Sequence, residues 1–272
     1  MDNEQTLEKK VKRNIFWDRF TYIFIAALLA VSVLFSCFVL YQKFYFSTTW
    51  VSGQSMYPYL NSEVTNNGKK RTDGDVRLGD KNLDLVLVDN HENVMNSLNR
   101  FDIVIVNIDN AYDVIKRLIV LPGETFYFGS GDQQGELFVK NKNGTFDLIP
   151  QPIERKYLKE GDYEKYQNPD NPTTLSDSEY FVCGDNRGHS GDSRSKGPFE
   201  RKNLKGVVVA LIGHCDATTN SNSSITYTNV SYSWPRFIKS WVSKYIGFPA
   251  IWKRPLSKLK ISLSLLIVPL NF

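Results

Sequence analysis

Hydrophobic and polar positions divide the chain into three stretches. The first is a run of 23 residues without a charge, Phe20 to Gln42, bounded by Arg19 and Lys43. At 1.5 Å per residue a helix needs about 20 apolar residues to cross a bilayer, so this run predicts one transmembrane anchor over 20–42. It is too long for the apolar core of a cleaved export signal, and the aromatic YQKFYFSTTW that follows offers no small-x-small cleavage site.

Beyond Trp50 the pattern changes. Apolar runs become short and rich in Val, Ile, Leu and Phe: 83–89, 101–107, 114–120, 125–128, 136–140, 180–184 and 206–213. Punctuated by Gly, Asn, Asp and Pro, they predict strands. No part of this region sustains a 3.6-residue apolar period long enough for a sizeable helix. The expected fold is therefore mainly β, many short strands in a sandwich or open barrel behind one N-terminal membrane helix. Residues 61–82, 141–178 and 216–233 are polar and read as loops, the last as a solvated linker.

Charge refines this division. The whole chain carries +4, but residues 1–19 hold +1, and the tail after Asp216 has seven basic residues and no acid, which leaves the body at −4. An acidic body speaks against nucleic acid as a partner. Five basic residues precede the apolar run and Lys43 alone follows it closely, which predicts a cytoplasmic N-terminus and an extracytoplasmic body. The expected divisions are 1–19 cytoplasmic, 20–42 anchor, 45–213 catalytic β-rich domain and 214–272 linker and tail. The tail mixes its cations with Trp234, Phe237, Trp241, Tyr245, Phe248 and Trp252, a composition suited to the surface of a phospholipid bilayer. Of three cysteines, Cys37 lies in the anchor; Cys183 and Cys215 read as small buried hydrophobes more readily than as a disulfide. No ligand spacing suggests a metal, and no motif calls for a cofactor.

Two segments carry chemistry. Val51-Ser52-Gly53-Gln54-Ser55-Met56-Tyr57-Pro58 places a serine in a Gly/Pro turn about a dozen residues past the anchor. A serine nucleophile needs a base. His91 lies in a polar loop and His214 at a strand end without a carboxylate pattern, whereas Lys116 interrupts the apolar strand 114–120 and must face either core or cleft. A lysine is a base only when neutral, and burial lowers its pKa toward neutrality. Farther on, Gly184-Asp185-Asn186-Arg187-Gly188-His189-Ser190-Gly191-Asp192-Ser193-Arg194 is a polar loop behind a strand. There Asp192 and Arg194 can pair, and Ser190 can orient an amine.

In this order, SGQSMYP, RFDIVIV, KRLIVLPGE and GDNRGHSGDSR behind one anchor resemble the boxes of the type I signal peptidases, membrane-anchored Ser/Lys-dyad proteases. The resemblance implies that Ser55 is the nucleophile and Lys116 the general base, with Ser190, Asp192 and Arg194 supporting them. The implied substrates are signal peptides of exported preproteins with small residues at the first and third positions before the cut. Gly53 stands where one branch of the family has an oxyanion-binding serine, which implies reliance on backbone N–H groups and resembles the Gram-positive type. Phe101 and Val120 replace usual glycines, Glu124 a usual Asp and Tyr59 a common Thr. The repressor-type Ser/Lys proteases would require a DNA-binding N-terminus instead of an anchor, and the endoplasmic-reticulum relatives have His at the lysine position. An inactive tethered domain that only binds exported chains stays open on the sequence.

Overall fold

The computed structural model describes residues 2–71, 77–109, 111–219 and 225–238, with side chains from residue 15 onward. The tail from residue 239 lies outside these residues, and with it most of the segment expected at the bilayer surface.

Helix α1 (Asp2–Tyr45) contains the apolar run and extends past both of its ends. Its stretch Ile15–Tyr45 is apolar enough to cross a membrane, and its most apolar part is not buried against the rest of the protein. The helix yields to a strand where β-branched and aromatic residues cluster in β1 (Phe46–Trp50). At this junction the His91 ring stacks on Tyr45 with centroids 4.2 Å apart, and its Nε2 lies 2.7 Å from the Tyr41 hydroxyl. Asp89 holds the other ring nitrogen at 2.6 Å, and the Asn90 N–H donates to the Tyr45 carbonyl. The loop histidine thus ties the helix end to the domain.

The short apolar runs become strands. They form β5 (Leu83–Asp89), β6 (Ile103–Ile108), β7 (Tyr112–Val120), β8 (Thr125–Phe128), β9 (Leu137–Lys140), β12 (Glu179–Cys183) and β14 (Leu204–Thr219). With β1, β13 (Phe199–Glu200) and β15 (Ile225–Phe237), five of these make an antiparallel sheet in the order β1-β5-β14-β6-β7-β12-β13. β14 is long enough to use one edge twice, pairing first with β6 and then with β15. A second sheet, β10-β9-β8-β11, adds β10 (Phe146–Ile149) and β11 (Thr173–Thr174).

The polar tracts hold more structure than their composition predicts. Residues 61–82 contain a small sheet of β2 (Thr65–Asn66), β3 (Lys69–Lys70) and β4 (Asp80–Lys81), its first turn made by Asn67 and Gly68, both at positive φ. Within 141–178 lie β10, β11 and the short helix α2 (Arg155–Lys159). β14 runs unbroken through Gly213, where the catalytic domain was expected to end, and pairs with β15 out to Thr219. The expected linker 216–233 is therefore largely the end of a hairpin. Polarity misleads here because Thr, Ile, Tyr and Val satisfy a strand backbone while their side chains remain exposed.

Three apolar clusters position the site. One, with Val51, Met56, Leu60, Ile103 and Ile105, lies beneath the serine turn. Another is aromatic, with Phe126, Phe128, Tyr166 and Phe181 between the sheets. The third packs Val104, Leu118 and Val182 beside the lysine strand. Cys183 and Cys215 are free, buried, and members of different clusters.

Candidate active site

Lys116 sits on β7, which is flanked by β6 and β12 and is not an edge strand. Successive side chains on a strand face opposite ways, so Lys116 and Arg117 leave β7 on different sides. Lys116 is 3% exposed, and its Nζ lies 2.8 Å from Ser55 Oγ and 3.0 Å from the Ile115 carbonyl. Among the described residues no carboxylate forms an ion pair with it. Burial lowers its pKa from 10.5 to about 8, opposed by the charges of Asp192 and Asp185 and assisted by Arg194. Both groups open onto a groove of about 680 Å³ walled by Val51, Met56, Ile105 and Ile115, a size that accommodates a peptide segment.

Arg117 is equally buried but fully partnered. It forms a two-toothed pair with Asp185 at 2.7 and 2.6 Å, donates to the Phe101 carbonyl at 3.0 Å, and stacks over the Tyr59 ring at 4.6 Å. Arg100 reaches the Ile119 carbonyl at 2.6 Å and the Glu124 carboxylate, whose second oxygen accepts the Leu121 N–H.

The loop after β12 supplies the remaining polar groups. Asp192 is fully buried and accepts from Gly184 N–H at 2.9 Å and from the Arg194 guanidinium twice at 2.9 Å. Burial works to raise the Asp192 carboxyl, but the Arg194 bonds and charge hold it below its ordinary value. The expected Asp192–Arg194 pair is thus present. Ser190 is close by, and its hydroxyl helps hold the Asp192 carboxyl low, yet it makes no hydrogen bond to Lys116. Its expected orienting bond to the lysine is not formed here. A Cβ on Gly184 would meet Ser190 Oγ at 2.3 Å and the Ser55 carbonyl at 2.4 Å, so this glycine lets the loop close on the serine.

The family departures each find a place. Phe101 adopts φ of 73°, the left-handed region that favours glycine. Its ring packs on the aromatic cluster, and Val120 is wholly buried in that same cluster. Glu124 and Tyr59 make the contacts given above. Gly53 has φ of 89° with open space where a side chain would stand; backbone conformation, not crowding, resists a serine there.

Three functional neighbours escaped sequence reasoning. Asn61, the first residue of the expected loop 61–82, is fully buried. Its amide donates to the Val51 carbonyl at 2.8 Å and the Gly53 carbonyl at 3.3 Å. Asp84 accepts the Asn61 N–H at 2.8 Å and lies 3.3 Å from His214 Nδ1, so the histidine does face a carboxylate, one brought by β5. The Asp84 carboxylate beside it raises the His214 pKa. The third, Asn186, stood within the polar-loop motif, but nothing in its spacing showed that it would touch the serine turn.

A serine hydroxyl beside a buried, unpaired lysine, facing a groove, is an arrangement for nucleophilic attack on an acyl carbon. Comparison with known proteins gives the family. The family described as signal peptidase, peptidase S26, matches residues 19–212. A signal peptidase I of Bacillus amyloliquefaciens is 31% identical over 203 residues, covering 71% of this chain and 84% of that protein. Signal peptidase I P of Bacillus subtilis subsp. natto is 31% identical over 211 residues, covering 74% and 90%. A crystal structure of a signal peptidase I from Enterococcus faecalis V583 shares 26% identity, covering 41% of this chain and 97% of that one at a TM-score of 0.30. With the matched region running from the foot of the anchor almost to the end of the residues that pair with β5, the chain belongs to the signal peptidase family, peptidase S26.

Proposed function

We propose that this protein is a membrane-bound serine endopeptidase that removes signal peptides from exported proteins, with Ser55 as nucleophile and Lys116 as general base. The observation that carries the assignment is the 2.8 Å approach of Lys116 Nζ to Ser55 Oγ inside apolar walls. Neutral Lys116 takes the Ser55 proton as Oγ bonds to the scissile carbonyl carbon. The carbonyl π pair moves to oxygen, which is stabilised by backbone N–H groups, chiefly that of Ser55. As the intermediate collapses, the C–N bond breaks and the lysine returns its proton to the leaving amine. Water, deprotonated by the same lysine, then releases the acyl group from Ser55.

The substrate lies extended in the groove as an added strand, with small side chains at the first and third positions before the cut. The basic residues ahead of the anchor support a cytoplasmic N-terminus, with the groove on the far side near the bilayer, where a membrane-inserted signal peptide ends. Asp192 and Arg194 hold the loop behind the lysine, the loop that also carries Ser190. The four substituted positions are packed without displacing Ser55 or Lys116, which supports a working protease over an inactive binding domain.

Purified full-length protein in detergent is the test. The wild type cleaves a preprotein at its signal junction, and Ser55→Ala and Lys116→Ala each lower the rate by about 10³-fold or more. Cleavage by either variant at the wild-type rate overturns the assignment.

A further inference from the structure

The serine turn is held through its carbonyls by two asparagines. Asn61 takes those of Val51 and Gly53, as described; Asn186 takes the next two. The Asn186 main-chain N–H donates to the Ser55 carbonyl at 3.0 Å, and its side-chain amide donates to the Gln54 carbonyl at 3.3 Å. The Gln54 carbonyl also accepts the Tyr57 N–H at 3.0 Å, which closes the turn. Asn186 is 3% exposed, and its side-chain oxygen Oδ1 is buried without a hydrogen-bond partner among the described residues. A side chain retained at that expense, with only its amide donor in use, is placed for the donor. Reversing the amide would set oxygen against the Gln54 oxygen, so the orientation is fixed by chemistry.

A trans peptide is planar, and its C=O and N–H point in opposite directions. Holding the Gln54 carbonyl toward Asn186 therefore aims the Ser55 N–H away from Asn186. Holding the Ser55 carbonyl fixes the following peptide plane in the same way. We propose that Asn186 is a positioning residue that aims the Ser55 N–H at the oxyanion formed during attack, through its grip on the peptide plane before Ser55. It touches no reacting atom. The inference rests on Ser55 being the nucleophile, and its effect belongs to the transition state instead of to substrate binding.

The test pairs two peptide inhibitors of one sequence, ending in an aldehyde or in the corresponding primary alcohol. Ser55 Oγ adds to the aldehyde carbon, its proton passing to Lys116 and the carbonyl π pair to oxygen, so that oxyanion occupies the site. The alcohol cannot form this adduct and reports ground-state binding. Removing a direct oxyanion donor typically lowers turnover about 10²- to 10³-fold. Misaligning one, with the turn's own bond still present, is expected to lower kcat and aldehyde affinity together by about 10- to 30-fold in Asn186→Ala. KM and alcohol affinity should stay within about threefold of wild type. Asn186→Leu, which also removes the unsatisfied buried oxygen, should match the alanine variant in kinetics while melting no lower than wild type, which guards against a folding defect. Parallel loss of aldehyde and alcohol affinity, or unchanged kcat, overturns the role of Asn186. A wild-type enzyme that binds aldehyde no more tightly than alcohol overturns the serine mechanism itself, so the two failures are distinguishable.

Discussion

The two faces of β7 carry neighbouring cations under opposite rules. Lys116 and Arg117 are each 3% exposed, yet one meets a hydroxyl and a carbonyl while the other meets a carboxylate, a carbonyl and an aromatic ring. Removing an ammonium from water without supplying an anion favours its neutral form. Giving a guanidinium a two-toothed carboxylate keeps it charged and ordered. The strand thus sets a candidate base directly beside a structural brace, and what separates them is the partner each face provides, not the depth of burial.

Breaking the brace should have the largest effect. Asp185→Ala leaves Arg117 buried without its anion and is expected to cost about 3–5 kcal/mol of stability, read as a large fall in melting temperature. A change below about 1 kcal/mol would mean that the pair contributes little, and the contrast between the faces would fail.

The lysine face should respond in the opposite direction. Below about pH 8 native Lys116 must carry its charge without a carboxylate, while the unfolded lysine stays protonated up to 10.5. Between these values the unfolded state binds more protons, so stability rises with pH across the window. The shift corresponds to a penalty on the order of 3 kcal/mol, fully present below pH 8. Lys116→Met should remove it, raising stability at neutral pH by a similar order and flattening the rise, while abolishing cleavage. In the wild type, kcat/KM should climb about tenfold per pH unit below pH 8 and level off above it. A lysine variant less stable than wild type, or a profile flat from pH 6 to 9, would contradict an unpaired buried base.

The smallest effect sharpens the comparison at Phe101, whose carbonyl serves Arg117. Left-handed backbone costs a residue with a side chain roughly 1–2 kcal/mol relative to glycine. Phe101→Gly exchanges that strain for lost aromatic packing and should change stability little, whereas Phe101→Ala loses the packing and keeps the strain. Denaturation should therefore rank the glycine variant above the alanine variant by about 1 kcal/mol; the reverse order would exclude strain at this position.

Much of this arrangement was legible in the chain. The anchor followed from an uninterrupted apolar length, and seven strands from short apolar runs, because both are local properties of consecutive residues. Ser55 and Lys116 were legible from a turn motif and a charged interruption of a strand, joined by a resemblance in the order of four boxes. The Asp192–Arg194 pair lay two residues apart and needed no long-range information. What was missed shares one cause. Asn61, Asp84 and Asn186 act through groups 8 to 132 residues away that only the folded chain brings to them, and β15 reads as a polar tract until β14 lies beside it. The Ser190 hydroxyl shows the converse, since position in a motif did not supply the hydrogen bond expected of it.

The sequence by itself therefore determined the membrane helix, the β character of the body and the identity of the candidate dyad, since each follows from local periodicity or residue chemistry. Only the tertiary structure decided that Lys116 lacks an anion while Arg117 has one, and that two asparagines grip the serine turn. Those outcomes depend on which elements pack on each face of β7 and around residues 51–55. Burial and partnership, which set the state of a charge, arise from contacts between segments up to 132 residues apart and have no signature in either segment alone.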